Sequence, residues 1–281
     1  MSDFAVFITT HGRPNNQLTL KTLLDSGYTG DYYLVLDDTD TTIDEYIQNF
    51  GKEHILVFNK LEVVNLTDTG KRIPNMKCVI YARNAVEYIA QQFELKSFVV
   101  ADDDITRFRH RFIQDNSLKS VPITKSIDDI LRAYSDYLLS CNISAMSFGL
   151  LSFYFAGVDA LSQRAVEKLR IVHNFIFRNT SIKCDWVSDY GEDFVTSILS
   201  NQRGDIMFTP PQVQYDSKVP SKRLDGGMSE LYKSTKMVNL ILGSMIFQPS
   251  CISAKLFKGD YLPYIARDKA FPKIISGRYK R

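Results

Sequence analysis

No stretch of this chain reaches the roughly 18 consecutive apolar residues that a membrane-spanning helix requires. Its apolar clusters, such as Ala145 to Ala156, are short and broken by Ser and Gly. Cysteine is scarce and scattered: Cys78, Cys141, Cys184 and Cys251 show no C-x-x-C spacing. That argues against a zinc cluster or disulfide framework and for free thiols in a reducing cytosol. No G-x-G-x-x-G occurs, which disfavours a standard dinucleotide site. The opening MSDFAVFITTHGRP lacks the basic-then-apolar order of a secretory signal and reads as a first core strand. These absences together lead us to expect a cytoplasmic protein with no membrane partner. Internal repeats, low-complexity segments and a domain-separating linker are also missing.

The 281 residues, 44% hydrophobic and 23% charged, can bury a large core. We expect one domain spanning 1–281, with a nucleotide-binding half over 1–110 and an acceptor and catalytic half over 111–281. The net charge of +2 is small, but basic residues cluster at Arg107, Arg109, His110 and Arg111 and again from Arg267 to Arg281. Such patches suit a polyanion or are simply solvated.

The first hundred residues alternate strand and helix signals. Phe4 to Thr9 is an apolar run ending in the turn-like His11-Gly12-Arg13-Pro14, and Asn15 or Asn16 then caps a helix carrying Leu18, Leu20, Leu23 and Leu24. Tyr32 to Leu36 forms a second strand that stops at Asp37-Asp38. A helix follows from Thr41 or Thr42 to Gly51, and His54 to Phe58 is a third strand. After a polar, irregular stretch, Ala82 to Phe93 reads as a helix, and the buried strand Ser97 to Ala101 runs into Asp102-Asp103-Asp104. This order predicts a mostly parallel α/β sheet flanked by helices, with ligands beyond the carboxyl ends of the strands. The second half is less regular: a helix over Ser126 to Leu139 capped by Ser126, one or two strands over Ile143 to Phe155, and a helix beginning at Gly191-Glu192-Asp193.

Three adjacent carboxylates at a strand end repel one another unless a cation joins them. Hard ions such as Mg²⁺ or Mn²⁺ use one or two carboxylates plus substrate phosphates. If the strand geometry continues, Asp102 and Asp104 share a face and Asp103 points elsewhere; a solvated acidic turn is the plainer reading. Thr9 to Pro14 offers hydroxyls, backbone amides and an Arg to a nucleotide. Asp37-Asp38 suits a base N–H or ribose hydroxyl, or merely caps a turn. Arg83, opening its helix, faces phosphate oxygens or solvent. Asp193, at a helix start near a bound sugar, is placed to take a proton from an acceptor hydroxyl.

In this order the T-x-x-x-R turn, the acidic pair, A-R-N, D-x-D and E-D resemble the GT-A glycosyltransferases, with motifs spanning residues 5 to about 200. The resemblance implies a Rossmann-like sheet, a UDP-sugar donor and a Mn²⁺ or Mg²⁺ ion. By position, Thr9, Thr10, Arg13 and Asp38, with Asp37, would contact the nucleotide. Arg83 would meet the diphosphate or donor sugar. Asp102 and Asp104 would hold ribose and metal, with Asp103 beside them in the donor site. Asp193 would be the base of an inverting reaction, with Glu192 its catalytic neighbour. Many such enzymes use a late histidine as a further metal ligand, and no histidine follows His173 here.

The set T-T-H-G-R-P, V-A-D-D-D, Y-G-E-D-F and D-G-G-M-S-E-L-Y is similar to bacteriophage glycosyltransferases that decorate hydroxymethylpyrimidines in DNA. This implies a DNA acceptor, probed by Gly226, Gly227, Tyr232 and Lys233 and gripped by Arg107, Arg109 and Arg111, inside the bacterial host's cytoplasm. Rival readings are transfer to a glycan or lipid, a nucleotidyltransferase, and a non-catalytic DNA-binding module.

Overall fold

A computed structural model describes residues 3–161, 170–218, 237–257 and 259–271. A seven-stranded sheet organises the fold. Its first four members are β1 (Phe4–Thr9), β2 (Asp31–Asp37), β3 (Ile55–Phe58) and β4 (Ser97–Asp102). They lie in the order 3-2-1-4 and are all parallel, as expected from the alternating signals. Beyond β4 the direction changes. β9 (Phe175–Asn179) runs antiparallel to β4, and β7 (Ala145–Ser147) and β10 (Met207–Phe208) complete the edge.

Side-chain alternation along β1 builds both cores. Val6 and Ile8 face one side, packing with Leu20 and Leu23 of α1 (Leu18–Asp25), Tyr46 of α2 (Ile43–Phe50) and Leu131 of α5 (Ile127–Ser140). Ala5 and Phe7 face the other, against Val64 of α3 (Lys60–Leu66) and Ala85 and Val86 of α4 (Ile80–Gln92). A two-residue repeat with both faces apolar is what a sheet covered on both sides demands.

Several expectations are corrected. Helix α1 begins after Gln17 and is capped by neither Asn15 nor Asn16, and Ser126 makes no side-chain cap on α5. The stretch after the third strand holds α3, whose start is capped by Asn59 accepting from the Glu62 amide at 3.1 Å. Residues Leu151–Leu161 form 3₁₀ turns rather than a strand. The basic cluster lies on β5 (Ile105–Gln114), a hairpin partner of β6 (Ser117–Pro122), within a second sheet of order β6-β5-β11-β8. That sheet also contains β8 (Gly149–Leu150) and β11 (Val213–Ser217). A division at residue 110 falls inside β5.

The described remainder includes α6 (Glu192–Gln202), the apolar α7 (Met237–Phe247) and a hairpin of β12 (Ile252–Phe257) with β13 (Asp260–Ile265). No described helix is long and apolar enough to cross a membrane.

Candidate active site

The turn after β1 is built by hydrogen bonds from distant parts of the chain. Thr10 donates to Asp103 Oδ2 at 2.7 Å, and Arg13 Nη1 reaches Asp103 Oδ1 at 2.8 Å. Tyr46 accepts from the Arg13 amide at 2.9 Å, and Asp40 accepts from the Gly12 amide at 2.7 Å. Gly12 has φ +67°, a left-handed conformation that glycine adopts without strain. Asp103 is thereby a buried brace between Thr10 and Arg13, one oxygen committed to each. Thr9 is also buried, and its hydroxyl donates to the Ala101 carbonyl.

Asp37 accepts from Lys60 Nζ at 3.2 Å and lies 3.0 Å from His11 Nδ1, while its other oxygen takes the Thr39 amide at 3.1 Å. Burial alone would raise its pKa, but the hydrogen bonds from His11 and Thr39 and the Lys60 charge outweigh this and hold it well below the usual range. Asp37 in turn raises the His11 pKa through their hydrogen bond, against the lowering effect of burial. Asp38 is exposed and accepts from the Lys60 amide at 3.0 Å.

The acidic strand end is held by α1. Thr19 donates to the Asp102 carbonyl at 2.5 Å and accepts from the Ile105 amide at 2.9 Å; Thr22 donates to the Ile105 carbonyl at 3.0 Å. Asp102 and Asp104 are left partly exposed on either side of the buried Asp103. Their oxygens are hard donors suited to Mg²⁺ or Mn²⁺, which accept two carboxylates with phosphate and water completing the shell. Among the described residues no group of three or more His, Cys, Asp or Glu side chains is placed to hold a metal. The two carboxylates therefore fit such an ion only with ligands from outside the protein's own described set.

Arg83 links this strand end to the second half. Its guanidinium is fully buried, reaching Glu192 Oε1 at 2.8 Å and Asp102 Oδ1 at 3.2 Å, and sits 5.1 Å from the Trp186 ring centre. Burial opposes its charge, but Glu192 and Asp102 more than compensate and raise its pKa. Glu192 begins α6 after Gly191, whose φ of +65° is left-handed. Burial pushes the Glu192 carboxyl up to about 7, Arg83 opposing and the neighbouring Asp193 adding to the rise.

Asp193 does not stand alone. Its Oδ2 is hydrogen-bonded to His173 Nδ1, and its Oδ1 accepts from the Phe194 amide at 2.8 Å. Burial works to raise its pKa, yet His173 and Arg83 prevail and lower it. His173 reaches the crevice because β9 runs against β4. Ala101 pairs with Phe175, and the Asp102 amide donates to the Asn174 carbonyl at 2.9 Å. The start of one strand therefore lies beside the end of the other. Tyr215 of β11 is buried nearby, and its hydroxyl bonds to no described residue. Burial first, then the charges of Asp102, Asp193 and Asp104, raise its pKa well above the ordinary value. Sequence reasoning missed His173, Asp40, Tyr46 and Tyr215, because only long-range pairing brings them here; the signal for Tyr215 is no more than an aromatic residue in an apolar strand.

The predicted acceptor residues are divided. Arg107, Arg109 and Arg111 alternate along β5 and so share one face. Arg107 is exposed. Arg109 contacts Asp216 at 2.8 Å, and Arg111 contacts Gln214 at 2.6 Å and stacks 4.6 Å from the Tyr154 ring centre. Gly226, Gly227, Tyr232 and Lys233 lie outside the described residues.

With this geometry in place, comparison with known proteins assigns the chain. Residues 4–222 match the TET-associated glycosyltransferase family, and the chain belongs to it. It is a glycosyltransferase, and the resemblance to DNA-modifying members of that class holds. Among solved structures, *Staphylococcus aureus* TarS (residues 1–349, with UDP-GlcNAc) superposes with TM-score 0.50 at 13% identity, covering 87% of this chain and 65% of that one. Glucosyl-3-phosphoglycerate synthase from *Mycobacterium tuberculosis*, with Mg²⁺ and UDP, gives 0.47 at 12% identity, covering 93% and 86%. The fold is that of the GT-A glycosyltransferases. No curated protein matches the chain by sequence.

Proposed function

We propose that this protein transfers a sugar from a UDP-sugar to the hydroxyl of a 5-hydroxymethylpyrimidine, 5-hydroxymethylcytosine above all, in DNA. The observation that carries the reading is one continuous polar path. It runs from the Thr10–Arg13 turn through Asp103 and its neighbour Asp102 to Arg83, Glu192 and the Asp193–His173 pair. A donor, its diphosphate and an attacking hydroxyl need such groups in that order. Membership in a TET-associated family supports the DNA acceptor, and the bound nucleotides of the similar structures support the donor class.

The turn at Gly12–Arg13 and the Asp37–Asp38 pair would receive the nucleoside. Arg83 would orient Asp102 and neutralise part of the negative charge of the site. Asp102 and Asp104 would hold Mn²⁺ or Mg²⁺, which when bound supplies charge stabilisation for the leaving diphosphate. The acceptor oxygen forms a bond to the anomeric carbon as the bond to the diphosphate oxygen breaks. The electron pair leaves with UDP, and the acceptor proton passes to the Asp193–His173 pair. A single displacement of this kind inverts the anomeric centre. Arg107, Arg109 and Arg111 would offer charge to DNA phosphates.

The test is UDP release in the presence of Mn²⁺, with a panel of UDP-sugars, against DNA with and without 5-hydroxymethylcytosine. Release confined to the modified DNA and one sugar is the expected result. Release independent of DNA would move the acceptor elsewhere, and failure to bind UDP at all would remove the reading.

A further inference from the structure

We infer that the base of the reaction is Nε2 of His173, and that Asp193 is its positioning residue. The inference rests on the glycosyl-transfer reading above and assigns one of its steps to a different atom from the one the E-D motif points to.

Hydrogen-bond inventory is the first argument. Both Asp193 oxygens are occupied, Oδ2 by His173 Nδ1 and Oδ1 by the Phe194 amide. A carboxylate that already accepts a hydrogen bond on each oxygen and faces the Arg83 charge is a weaker acceptor for a hydroxyl proton than a ring nitrogen without a partner. His173 presents the opposite case. Since an ionised carboxylate can only accept, Nδ1 carries a proton in that bond, and in the neutral imidazole the lone pair then lies on Nε2. Nε2 makes no hydrogen bond among the described residues, and the side chain is 15% exposed, close to the 19% of Asp193, so the two differ in free hydrogen-bonding capacity and not in access.

Placement is the second argument. The Asp102 amide is bonded to Asn174, the residue after His173, so the imidazole is anchored beside the acidic strand end. Its own amide is held by Ser147 Oγ at 3.2 Å, and Phe153 packs on its ring at 5.5 Å between centres. Backbone and ring are both fixed, as a proton acceptor requires. The charged and titratable groups that act on the pair are Asp193 against the imidazole, then Arg83, Glu192 and Tyr215 on Asp193, with Asp102 acting on Arg83.

The step balances. The acceptor O–H gives its proton to Nε2 while its oxygen bonds to the anomeric carbon, and the sugar's bond to diphosphate breaks with its electron pair leaving on UDP. The imidazolium so formed is stabilised by the Asp193 carboxylate and later loses its proton to solvent. This is the division of labour of a carboxylate-oriented histidine in acyl transfer, applied to a sugar.

The experiment compares His173→Ala, His173→Gln and Asp193→Ala in the full chain. UDP binding in Mn²⁺ is measured by calorimetry, and turnover against hydroxymethylcytosine DNA is followed across pH. The expected loss for the His173 variants is on the order of 10²-fold or more in kcat, the range of general-base catalysis, with UDP affinity within about threefold. Asp193→Ala is expected to lose less than His173→Ala. Added imidazole should restore part of the His173→Ala turnover, and the acid limb of the unaltered enzyme's pH profile should be missing from His173→Gln. A larger loss for Asp193→Ala, no imidazole rescue and an acid limb that persists in His173→Gln would overturn the assignment and return the base to Asp193. If the unaltered protein does not bind UDP, the functional reading fails instead, and calorimetry alone reports that.

Discussion

At the scale of single residues, the site is governed by charges that are each committed to a partner. Arg83 shows the cost of that commitment. Removing one member of a buried pair typically destabilises by about 3–5 kcal/mol, since the partner stays buried and unpaired. Asp102 and Glu192 would both be orphaned, so Arg83 serves stability and charge placement together. His11 and Asp37 form the titrating pair at the carboxyl end of β2. The folded His11 pKa stands above its unfolded value, so the stabilisation from its protonated form is complete below about pH 6.5. That contribution disappears as pH rises through the folded value. Asp37 is shifted the other way, and its contribution is lost only as pH falls through its lowered value. An NMR titration of His11 should give a pKa above the ordinary imidazole value, and Asp37→Asn should bring it down. An unmoved His11 titration would deny the pairing.

Among the elements, α1 sets the position of the acidic strand end. Thr19 bonds both the Asp102 carbonyl and the Ile105 amide, so Thr19→Val keeps the shape and removes both hydrogen bonds. We expect a destabilisation of about 1–3 kcal/mol, the cost of a buried unsatisfied group, together with weaker Mn²⁺ activation. Denaturant midpoints and a Mn²⁺ titration of turnover measure the two effects. The parallel strands were legible in the sequence because each is a continuous apolar run closed by a polar turn. Asp102 to Asp104 and Glu192-Asp193 were legible because they lie at element ends. The β5–β6 hairpin was not, since Arg107, Arg109 and Arg111 interrupt its apolar pattern and read as a surface patch. Helix α3 was missed although Asn59 and Glu62 carry a capping spacing. His173 was missed for a physical reason: nothing local marks it, and only the antiparallel pairing of β9 with β4 delivers it to Asp193.

For the whole molecule, the near-neutral total charge conceals an uneven distribution. Acidic groups gather at the carboxyl ends of β2 and β4, and arginines lie on β5, which follows β4 in the chain. If β5 touches DNA phosphates, the affinity for DNA should fall linearly in log–log form with salt. Arg107→Ala should then reduce that slope by about 1, the contribution of one phosphate contact. Fluorescence anisotropy over a salt series reads this directly, and an unchanged slope would clear Arg107 of contact. Arg109 is less suited to the test because Asp216 already shares its charge.

The bonds that close the site join residues far apart in the chain: Thr10 to Asp103 across 93 positions, and Arg83 to Glu192 across 109. Loop closure over such distances is costly until the intervening strands are paired. A chain emerging from the ribosome can therefore form β1, β2 and β3 before the Thr10–Arg13 turn acquires its brace. The side that carries His173 and Asp193 joins later still. The candidate site is among the last parts to be assembled, so an unfinished molecule lacks it.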